Sequence, residues 1–328
     1  MKKLLRLLVS LTLLTGILTG CAGMPGKNNN TSVPGNTSVA KESVNMTEAN
    51  IPQMRLYTDI AGREVEIPAN PQRIITINMT AEAVAAGITP VGAAENWLTP
   101  LDDSQKEGIE PLGKVENLNF EKIIELEPDL IITPERVTDE DTWNALSKIA
   151  PTVVAPFFGD ALENLRITGD ILGREQEAEA WVSAYEKKVQ EVKEVLSDII
   201  GSGETALVLQ VWEKSLYVFP PSTYPTIHEV LGLTSTVEDL NLTSGMQLSL
   251  EDLTEYSADY IFLVSPTTDA DQQYANEVAD SSIWRNLPAT KNNRVYSIGD
   301  RLSSGNALAL DWALDEVVRL MKPSRVNH

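Results

Sequence analysis

The sequence predicts an α/β protein made of two Rossmann-like lobes that are joined by a single long α-helix. Two observations carry this prediction. One unit occurs twice, because residues 120–132 read FEKIIELEPDLII and residues 250–262 read LEDLTEYSADYIF, and the two align without a gap. Between the copies, apolar residues recur at three- and four-residue steps from Ala178 to Ile199, with neither Pro nor Gly between Arg174 and Ile200. Two similar lobes separated by one helix account for both.

The N-terminus has the pattern of an export signal. Lys2, Lys3 and Arg6 precede an apolar run over residues 7–18, which is short for a membrane span. The run ends in L-T-G-C at residues 18–21, and Cys21 is the only cysteine of the chain. This tetrapeptide resembles a bacterial lipobox. The resemblance implies that residues 1–20 are removed as a signal peptide and that Cys21 is lipidated, and two or three acyl chains give stable anchoring.

Residues 21–53 are predicted to be a lipidated flexible tether. They are rich in Asn, Gly, Ser, Thr, Pro and Val and show no period, and a coil of that length spans about 30 Å. The lipobox and the long polar tether favour the outer face of the membrane of a monoderm bacterium. Removing the signal peptide would take away three positive charges and move the net charge from −21 to −24. Such acidity argues against nucleic acid and anionic lipid surfaces as partners.

The first lobe is predicted over residues 54–173. A hairpin is expected over 56–67, around the turn at Gly62. Short apolar runs then predict strands over 73–78, 90–93, 130–133 and 152–155. They alternate with helices expected over 81–86, 120–127 and 143–149, the first two capped by Thr80 and Asn119, and this alternation is typical of a parallel sheet.

The connecting helix is predicted over residues 174–200, about 40 Å long, and the second lobe over 201–328. In that lobe we expect a strand over 206–211, a short helix over 226–231 that Gly232 ends, and Ser249 as the cap of the second repeat. Four tryptophans at helical spacing or in a structural motif are expected in the core: Trp143, Trp181, Trp284 and Trp312.

Seven motifs in order resemble the lipoprotein-anchored substrate-binding proteins of ABC importers for ferric siderophores, haem and cobalamin, the class III periplasmic binding proteins. The likeness covers nearly all of residues 54–321. The motifs are D-x-x-G-R-x-V-x-I-P-x-x-P-Q-R-I (59–74), E-x-x-A-A-G-I-T-P-V-G (82–92), G-x-V-x-N-L-N-F-E-K-I (113–123), L-E-P-D-L-I-I (126–132), I-A-P-T-V (149–153), S-L-E-D-L (249–253) and W-x-x-L-P-A-x-K-N-x-R-V-Y (284–296). The resemblance implies a ligand held between the lobes, a small closure motion, and delivery as a monomer to an ABC permease dimer with a cytoplasmic ATPase.

The resemblance also gives a role to one glutamate in each repeat. In the family one glutamate per lobe pairs with permease arginines, and the matching positions here are Glu121 and Glu251. A carboxylate in the first turn of a helix is also favoured by the helix dipole alone, so the position by itself does not establish docking.

Ligand contacts in such a fold come from the loops after the strands. Large or cationic residues that directly follow the predicted strands are therefore the candidates. They are Asn78, Trp97 and Arg136 in the first lobe, and Trp212, Lys214, Tyr217, Tyr224 and Arg301 in the second. Each also has a structural interpretation: for example, Tyr217 lies where a hairpin partner strand would run.

The class of ligand stays open at this stage. A bare metal ion needs a cluster of His, Asp, Glu or Cys ligands, and the only histidines are His228 and His328, so direct metal binding is disfavoured. Haem takes an axial His, Met, Tyr or Cys, and Tyr217, Tyr224 or Met246 could serve, so haem and cobalamin remain alternatives. A ferric siderophore brings its iron with its own ligands, so the protein needs no cofactor. Aromatic walls with one to three cations favour a hydroxamate or mixed type over a catecholate.

Two other classes of function are less well supported. The sequence lacks the motifs that an enzyme on this scaffold would use: a G-x-S-x-G elbow, a phosphate-binding glycine loop and a nucleophilic cysteine beyond the lipidation site. A ligand-sensing lipoprotein would share the cleft but has no need of two docking glutamates. We therefore expect an importer subunit that is not an enzyme.

Overall fold

Two β-sheets, one in each lobe, organise the computed structural model, which describes residues 53–322. The predicted signal peptide (1–20), the lipidation site Cys21, most of the tether and His328 lie outside the described residues, so those predictions are not tested by the structure.

The N-terminal lobe contains a separate hairpin and a five-stranded sheet. Its strands are β1 (Met54–Thr58), β2 (Glu64–Pro68), β3 (Ile74–Thr76), β4 (Gly92–Ala93), β5 (Glu110–Pro111), β6 (Leu130–Pro134) and β7 (Thr152–Ala155). Its helices are α1 (Thr80–Ala85), α2 (Asp103–Lys106), α3 (Phe120–Glu125), α4 (Glu140–Leu146) and α5 (Ala161–Leu172). Strands β1 and β2 form the predicted antiparallel hairpin, and the sheet is parallel throughout in the order β5-β4-β3-β6-β7.

The connecting helix is α6 (Glu175–Leu196). Its first half packs on the N-terminal lobe, because Ala178 and Val182 are buried against Leu165 of α5. Its second half packs on the other lobe, where Val192 and Leu196 join the large core cluster. The helix ends before the Gly201-Ser202-Gly203 stop that the sequence indicated, so it is shorter than predicted, at about 33 Å.

The C-terminal lobe has a six-stranded sheet that is partly antiparallel. Its strands are β8 (Thr205–Trp212), β9 (Ser215–Val218), β10 (Thr234–Ser235), β11 (Met246–Leu248), β12 (Tyr260–Val264) and β13 (Val295–Ile298). Its α-helices are α7 (Asp269–Asp280), α8 (Ser282–Asn286), α9 (Pro288–Lys291) and α10 (Ala307–Met321), and a short π-helix covers Thr226–Val230, within the predicted helix 226–231. The order is β11-β9-β8-β12-β13, with β10 also on β8, and β9 is antiparallel to both of its neighbours.

The repeated unit occupies equivalent places in the two lobes. Strand β6 pairs in parallel with β3, and β12 pairs in parallel with β8. Asp129 accepts hydrogen bonds from the backbone N–H groups of Gln72 (2.7 Å) and Arg73 (2.9 Å), directly before β3. Asp259 accepts from the backbone N–H (2.9 Å) and the hydroxyl (2.9 Å) of Thr205, the first residue of β8. The acidic residue that ends each copy therefore ties two central strands together.

Two helix starts differ from the prediction. Thr80 is not the cap of α1: it is the first helical residue, and Met79 precedes it in a left-handed conformation (φ 60°) without a side-chain cap. Helix α4 begins at Glu140 rather than at residue 143, because the Asp139 carboxylate accepts a hydrogen bond from Thr142 N–H (2.8 Å) and caps it earlier. Asn119 caps α3 as predicted, by accepting from Lys122 N–H.

The second repeat and part of the predicted core also differ. Residues 251–254 form a short 3₁₀ turn instead of an α-helix, although Ser249 and Asp252 bond each other's backbone as a reciprocal cap. Of the four tryptophans expected in the core, only Trp284 is buried. Trp143, Trp181 and Trp312 are half-buried, and the Trp143 indole donates to the Thr138 hydroxyl (2.8 Å).

Candidate functional site

A cavity of about 320 Å³ lies between the lobes, at the carboxyl ends of the N-terminal strands. Parallel sheets place ligand crevices at this edge, since the loops after neighbouring strands converge there. From the N-terminal lobe it is lined by residues 78–82, Trp97, residues 156–159 and Asn164, and from the C-terminal lobe by Thr223 and residues 303–306.

Asn78 lies on the floor of this cleft, just past β3. Its side chain is buried, and its amide nitrogen donates to the carbonyl oxygen of Pro156 (2.8 Å). Its Oδ1 has no hydrogen-bond partner among the described residues. Buried polar atoms are nearly always paired, so an ordered water or a bound molecule is the expected partner of this oxygen.

Trp97 ends a 3₁₀ turn (Glu95–Trp97) beyond β4 and forms part of an aromatic wall. Its ring meets Phe157 edge to face, with ring centres 5.6 Å apart, and Phe157 meets Phe158 in the same way at 4.5 Å. The Trp97 Nε1–H is buried and has no acceptor within the described part of the chain. Phe158 is 65% exposed, and the Arg136 guanidinium lies 5.5 Å from its ring centre.

Arg301 stands on the opposite side of the cleft, in a 3₁₀ turn (Asp300–Ser303). Its guanidinium lies over the Trp312 ring, 5.5 Å from the ring centre, and its buried Nε lacks a partner among residues 53–322. The pKa of Asp102, in the N-terminal lobe, is lowered chiefly by the Ser104 hydroxyl and the Gln105 N–H, with a smaller contribution from the Arg301 charge.

Three other candidates lie together on the hairpin of β8 and β9, beyond the lining of the cavity. Glu213 and Lys214 form its turn with positive φ (49° and 55°), and Asp271 accepts from Lys214 N–H (2.8 Å). Trp212 is 52% exposed and its ring centre lies 5.7 Å from that of Tyr217. Strand β9, which contains Tyr217, pairs with β8, so Tyr217 lies on the hairpin partner strand that its structural interpretation required.

The structure argues against direct ligand contact by Tyr224. Its ring is buried in the core of the C-terminal lobe, and burial raises the pKa of its hydroxyl. Its neighbour Thr223 lines the cleft instead. A large residue close to a strand can fill the lobe interior as readily as the crevice, and sequence spacing does not separate the two cases.

Phe157 and Phe158 were missed by the sequence reasoning. They follow β7 directly, so the rule that found Asn78, Trp97 and Arg136 after the preceding strands applies equally to them. Glu82, Asn164 and residues 303–306 carried no such signal, because they lie on or next to helices.

The two repeat glutamates are exposed at matching positions outside the cleft. Glu121 is in the first turn of α3, and Glu251 begins the 3₁₀ turn of the second repeat. Residues 121–125 and 251–255 also show the same alternation of exposed and buried positions, with Ile123 and Leu253 fully buried. A carboxylate is thus presented from an equivalent place on each lobe.

Within residues 53–322 no helix is long and apolar enough to cross a membrane. In the same residues no group of three or more His, Cys, Asp or Glu side chains is arranged around a possible metal ion.

Comparison with known proteins identifies the class. Residues 80–302 match the periplasmic binding protein family, and the chain belongs to that family. It is 29% identical over 309 residues to the iron(3+)-hydroxamate-binding protein YxeB of Bacillus subtilis, covering 90% of this chain and 89% of that protein. It is 32% identical over 246 residues to the iron(3+)-hydroxamate-binding protein FhuD of the same organism, covering 71% and 76% respectively.

The fold is likewise similar to solved structures. The crystal structure of a FhuD-fold binding component of a ferrichrome ABC transporter from Bacillus subtilis superimposes with a TM-score of 0.69 at 30% identity, covering 81% of this chain and all of that one. These similarities confirm the predicted fold class of a two-lobed α/β binding protein.

Proposed function

We propose that this chain captures a ferric siderophore, of the hydroxamate type, in the cleft between its lobes and delivers it to an ABC permease for iron uptake. The observation that carries the proposal is the cleft itself. Aromatic rings from Trp97, Phe157 and Phe158 line one side, and polar atoms of Asn78 and Trp97 lie buried there without partners in the described structure.

The cations at the cleft support the choice of ligand. Arg136 lies over the ring of Phe158, which lines the cleft, and Arg301, two residues before Ser303 of the lining, lies over the ring of Trp312. Two guanidinium groups suit a neutral or weakly anionic ferric complex better than a highly anionic catecholate. The hydroxamate-binding relatives YxeB and FhuD favour the same class of ligand.

The proposed setting is the outer face of the cell membrane, with the chain anchored through lipid on Cys21. Relatives described as siderophore-binding and ABC transporter substrate-binding lipoproteins support this placement. Mass spectrometry of the membrane fraction tests it, because an unmodified chain that begins before Cys21 contradicts the anchor. Exposed carboxylates at Glu121 and Glu251 support a permease as the partner.

Tryptophan fluorescence tests the ligand class. Of the six tryptophans, Trp97 lies in the cleft wall, so a ferric hydroxamate should quench the emission with saturation. The panel comprises ferrichrome, ferrioxamine B, a ferric catecholate, haem and cobalamin, with the iron-free siderophores as matched controls. Tight binding of haem or cobalamin alone would move the assignment to that ligand, and no response to any of the five would contradict ligand capture in this cleft.

A further inference from the structure

Glu82 lies where the two lobes meet, at the floor of the cleft. It is the third residue of α1 in the N-terminal lobe, its side chain is only 4% exposed, and it lines the cleft cavity. The proposed capture of a siderophore by aromatic and cationic groups makes no use of this carboxyl group. A buried carboxyl group at the junction between two lobes needs a physical explanation.

The Glu82 carboxyl lies near the N-termini of two helices. The backbone N–H of Ala307, the first residue of α10, and the backbone N–H of Glu82 itself, in the first turn of α1, both favour its ionised form. First-turn N–H groups have no acceptor within their own helix, so they attract a carboxylate. Helix α1 belongs to the N-terminal lobe and α10 to the C-terminal lobe. The carboxyl therefore lies where the two lobes are in contact.

The surroundings of Glu82 are mainly apolar. Ala86 and Ala307 pack against Leu165 and Val182 at this junction. Helices α5 and α10 pack most closely on α1. Their charged residues, with those of the two 3₁₀ turns beside the cavity, are Glu163, Arg166, Asp170, Asp311, Asp315, Glu316, Arg319, Glu95, Asp300 and Arg301.

Several of these charges are paired with groups other than Glu82. Arg166 pairs with Glu163 and Glu179, Asp170 with Arg55, Asp311 and Asp315 with Lys188, and Glu316 with Arg319. The backbone N–H groups of Ala307 and Glu82 favour the ionised form of the carboxyl. The effect of burial is larger and raises the pKa of Glu82 to about 7.

We propose that Glu82 couples the separation of the lobes to the release of a proton, so that the junction holds together more firmly when this carboxyl is protonated. Separation admits water to the carboxyl and removes the cost of burying its charge. Any ligand that needs the lobes in the present arrangement then binds more tightly at lower pH. The effect on ligand affinity rests on the proposed function, whereas the effect on the junction does not.

The sign follows from linkage between protonation and conformation. Solvated, the carboxyl has its ordinary pKa of 4.5, and in the junction the pKa is about 7. Between these values the joined arrangement binds more protons than the separated one, so raising the pH through 7 favours separation. From pH 6 to pH 8.5 the ratio of joined to separated molecules should fall about tenfold.

Hydrogen exchange of the ligand-free protein tests the junction directly. The peptide that contains Ala307 is followed by mass spectrometry between pH 6 and 8.5, and its rates are corrected for the pH dependence of intrinsic exchange. Protection in the unsubstituted protein should fall about tenfold across this range. Glu82→Gln, which keeps the shape and loses the titration, should show less than a twofold change. Glu163→Gln, an exposed glutamate on the neighbouring α5, is the matched control and should behave like the unsubstituted protein.

Two results overturn the proposal. One is constant corrected protection in the unsubstituted protein, which needs no variant to fold. The other is an equal pH dependence in Glu82→Gln, because another group then titrates.

Ferrichrome affinity extends the test to the ligand. This neutral ferric trihydroxamate keeps its charge between pH 6 and 8.5, so a pH effect arises from the protein. The dissociation constant of the unsubstituted protein should rise over this range as the joined fraction of the free protein falls, by at most about tenfold, and that of Glu82→Gln should rise less. If ferrichrome does not bind at all, the hydroxamate assignment is wrong, and the exchange experiment alone decides the role of Glu82.

Discussion

Three of the buried polar atoms that lack a hydrogen-bond partner in the described part of the chain lie at or beside the cleft. Asn78 Oδ1 and Trp97 Nε1–H are buried on the N-terminal side, and Arg301 Nε on the C-terminal side, and none has a partner within the described residues. Leaving such groups unpaired costs about 1–3 kcal/mol each. We expect a ligand that supplies one donor and two acceptors at these points to recover that cost, so these atoms would contribute to specificity as well as to affinity.

Two substitutions of Trp97 distinguish the contribution of its ring to binding from that of its N–H group. Trp97→Ala removes the aromatic wall against Phe157 and should weaken ferrichrome binding by roughly tenfold or more. Trp97→Phe keeps an edge-to-face ring and loses only the donor, so a smaller loss of about 0.5–1.5 kcal/mol is expected. Isothermal titration calorimetry measures both affinities.

The control for this pair is Trp284→Phe, a change at a buried tryptophan far along the chain in α8. It should lower thermal stability without altering the affinity. Equal affinities for Trp97→Ala and the unsubstituted protein would remove Trp97 from the site.

Among the secondary-structure elements, the two copies of the repeat share an anchoring role that does not depend on helix type. Helix α3 and the 3₁₀ turn at 251–254 differ in geometry, yet each leads to an aspartate that binds the backbone at the start of a central strand. The common feature is thus the tie between two strands. We expect this tie to contribute more to stability than the cap of either short helix.

Asp129→Ala and Asp259→Ala test the tie. Each leaves two donors at the start of a strand without their carboxylate, so the free energy of unfolding should fall by about 1–3 kcal/mol in each variant. Urea denaturation followed by circular dichroism measures the loss. Glu125→Ala, an exposed change on α3, is the matched control and should stay within about 0.5 kcal/mol of the unsubstituted protein. Losses no larger than that of the control would contradict the anchoring role.

Much of the element order could be predicted from the sequence, because parallel strands buried on both faces leave continuous apolar runs and the long helix leaves a sustained period. Strand β7 was predicted to the residue. The start of α1 was not, because Thr80 is a good cap by type, whereas the backbone at Met79 is left-handed. Such a conformation depends on tertiary contacts that local sequence does not encode.

The candidate site was predicted less completely than the fold. Asn78 and Trp97 were found because they follow strands, and Phe157 and Phe158 could have been found by the same rule. Glu82 could not, since it acts through a helix of the other lobe. Contacts between lobes depend on how two sheets pack, and residue spacing within one sheet carries no information about that.

In the whole molecule, α6 fixes how the lobes sit. It is bound to both of them: Arg166 of α5 pairs with Glu179 (3.0 Å), and Lys188 pairs with Asp311 of α10 (2.8 Å). An uninterrupted helix has no flexible segment at which a wide hinge could open, so we expect the lobes to rock only slightly about it. The distance between Glu121 and Glu251 is therefore nearly constant, and a partner could engage both at once.

A double substitution, Glu121→Ala with Glu251→Ala, tests that bivalent engagement. One exposed carboxylate–arginine pair is worth at most about 1 kcal/mol, but two pairs on a rigid body reinforce each other through effective concentration. Each single change should therefore reduce uptake of radioactive iron as ferrichrome in part, and the double change should abolish it. Both glutamates are exposed and outside the cleft, so ferrichrome affinity should stay within about twofold of the unsubstituted value.

The matched control addresses the alternative that these residues only stabilise helix starts. Glu175 and Asp269 are likewise exposed acids in the first turns of α6 and α7, so Glu175→Ala with Asp269→Ala removes two equivalent charges elsewhere. This control should retain full uptake if docking is local to the repeat, and lose it if net charge or helix stability is responsible. Full uptake by the Glu121 and Glu251 double variant would instead show that the duplicated glutamates are not what the permease contacts, and that the repeat serves only to tie the strands together.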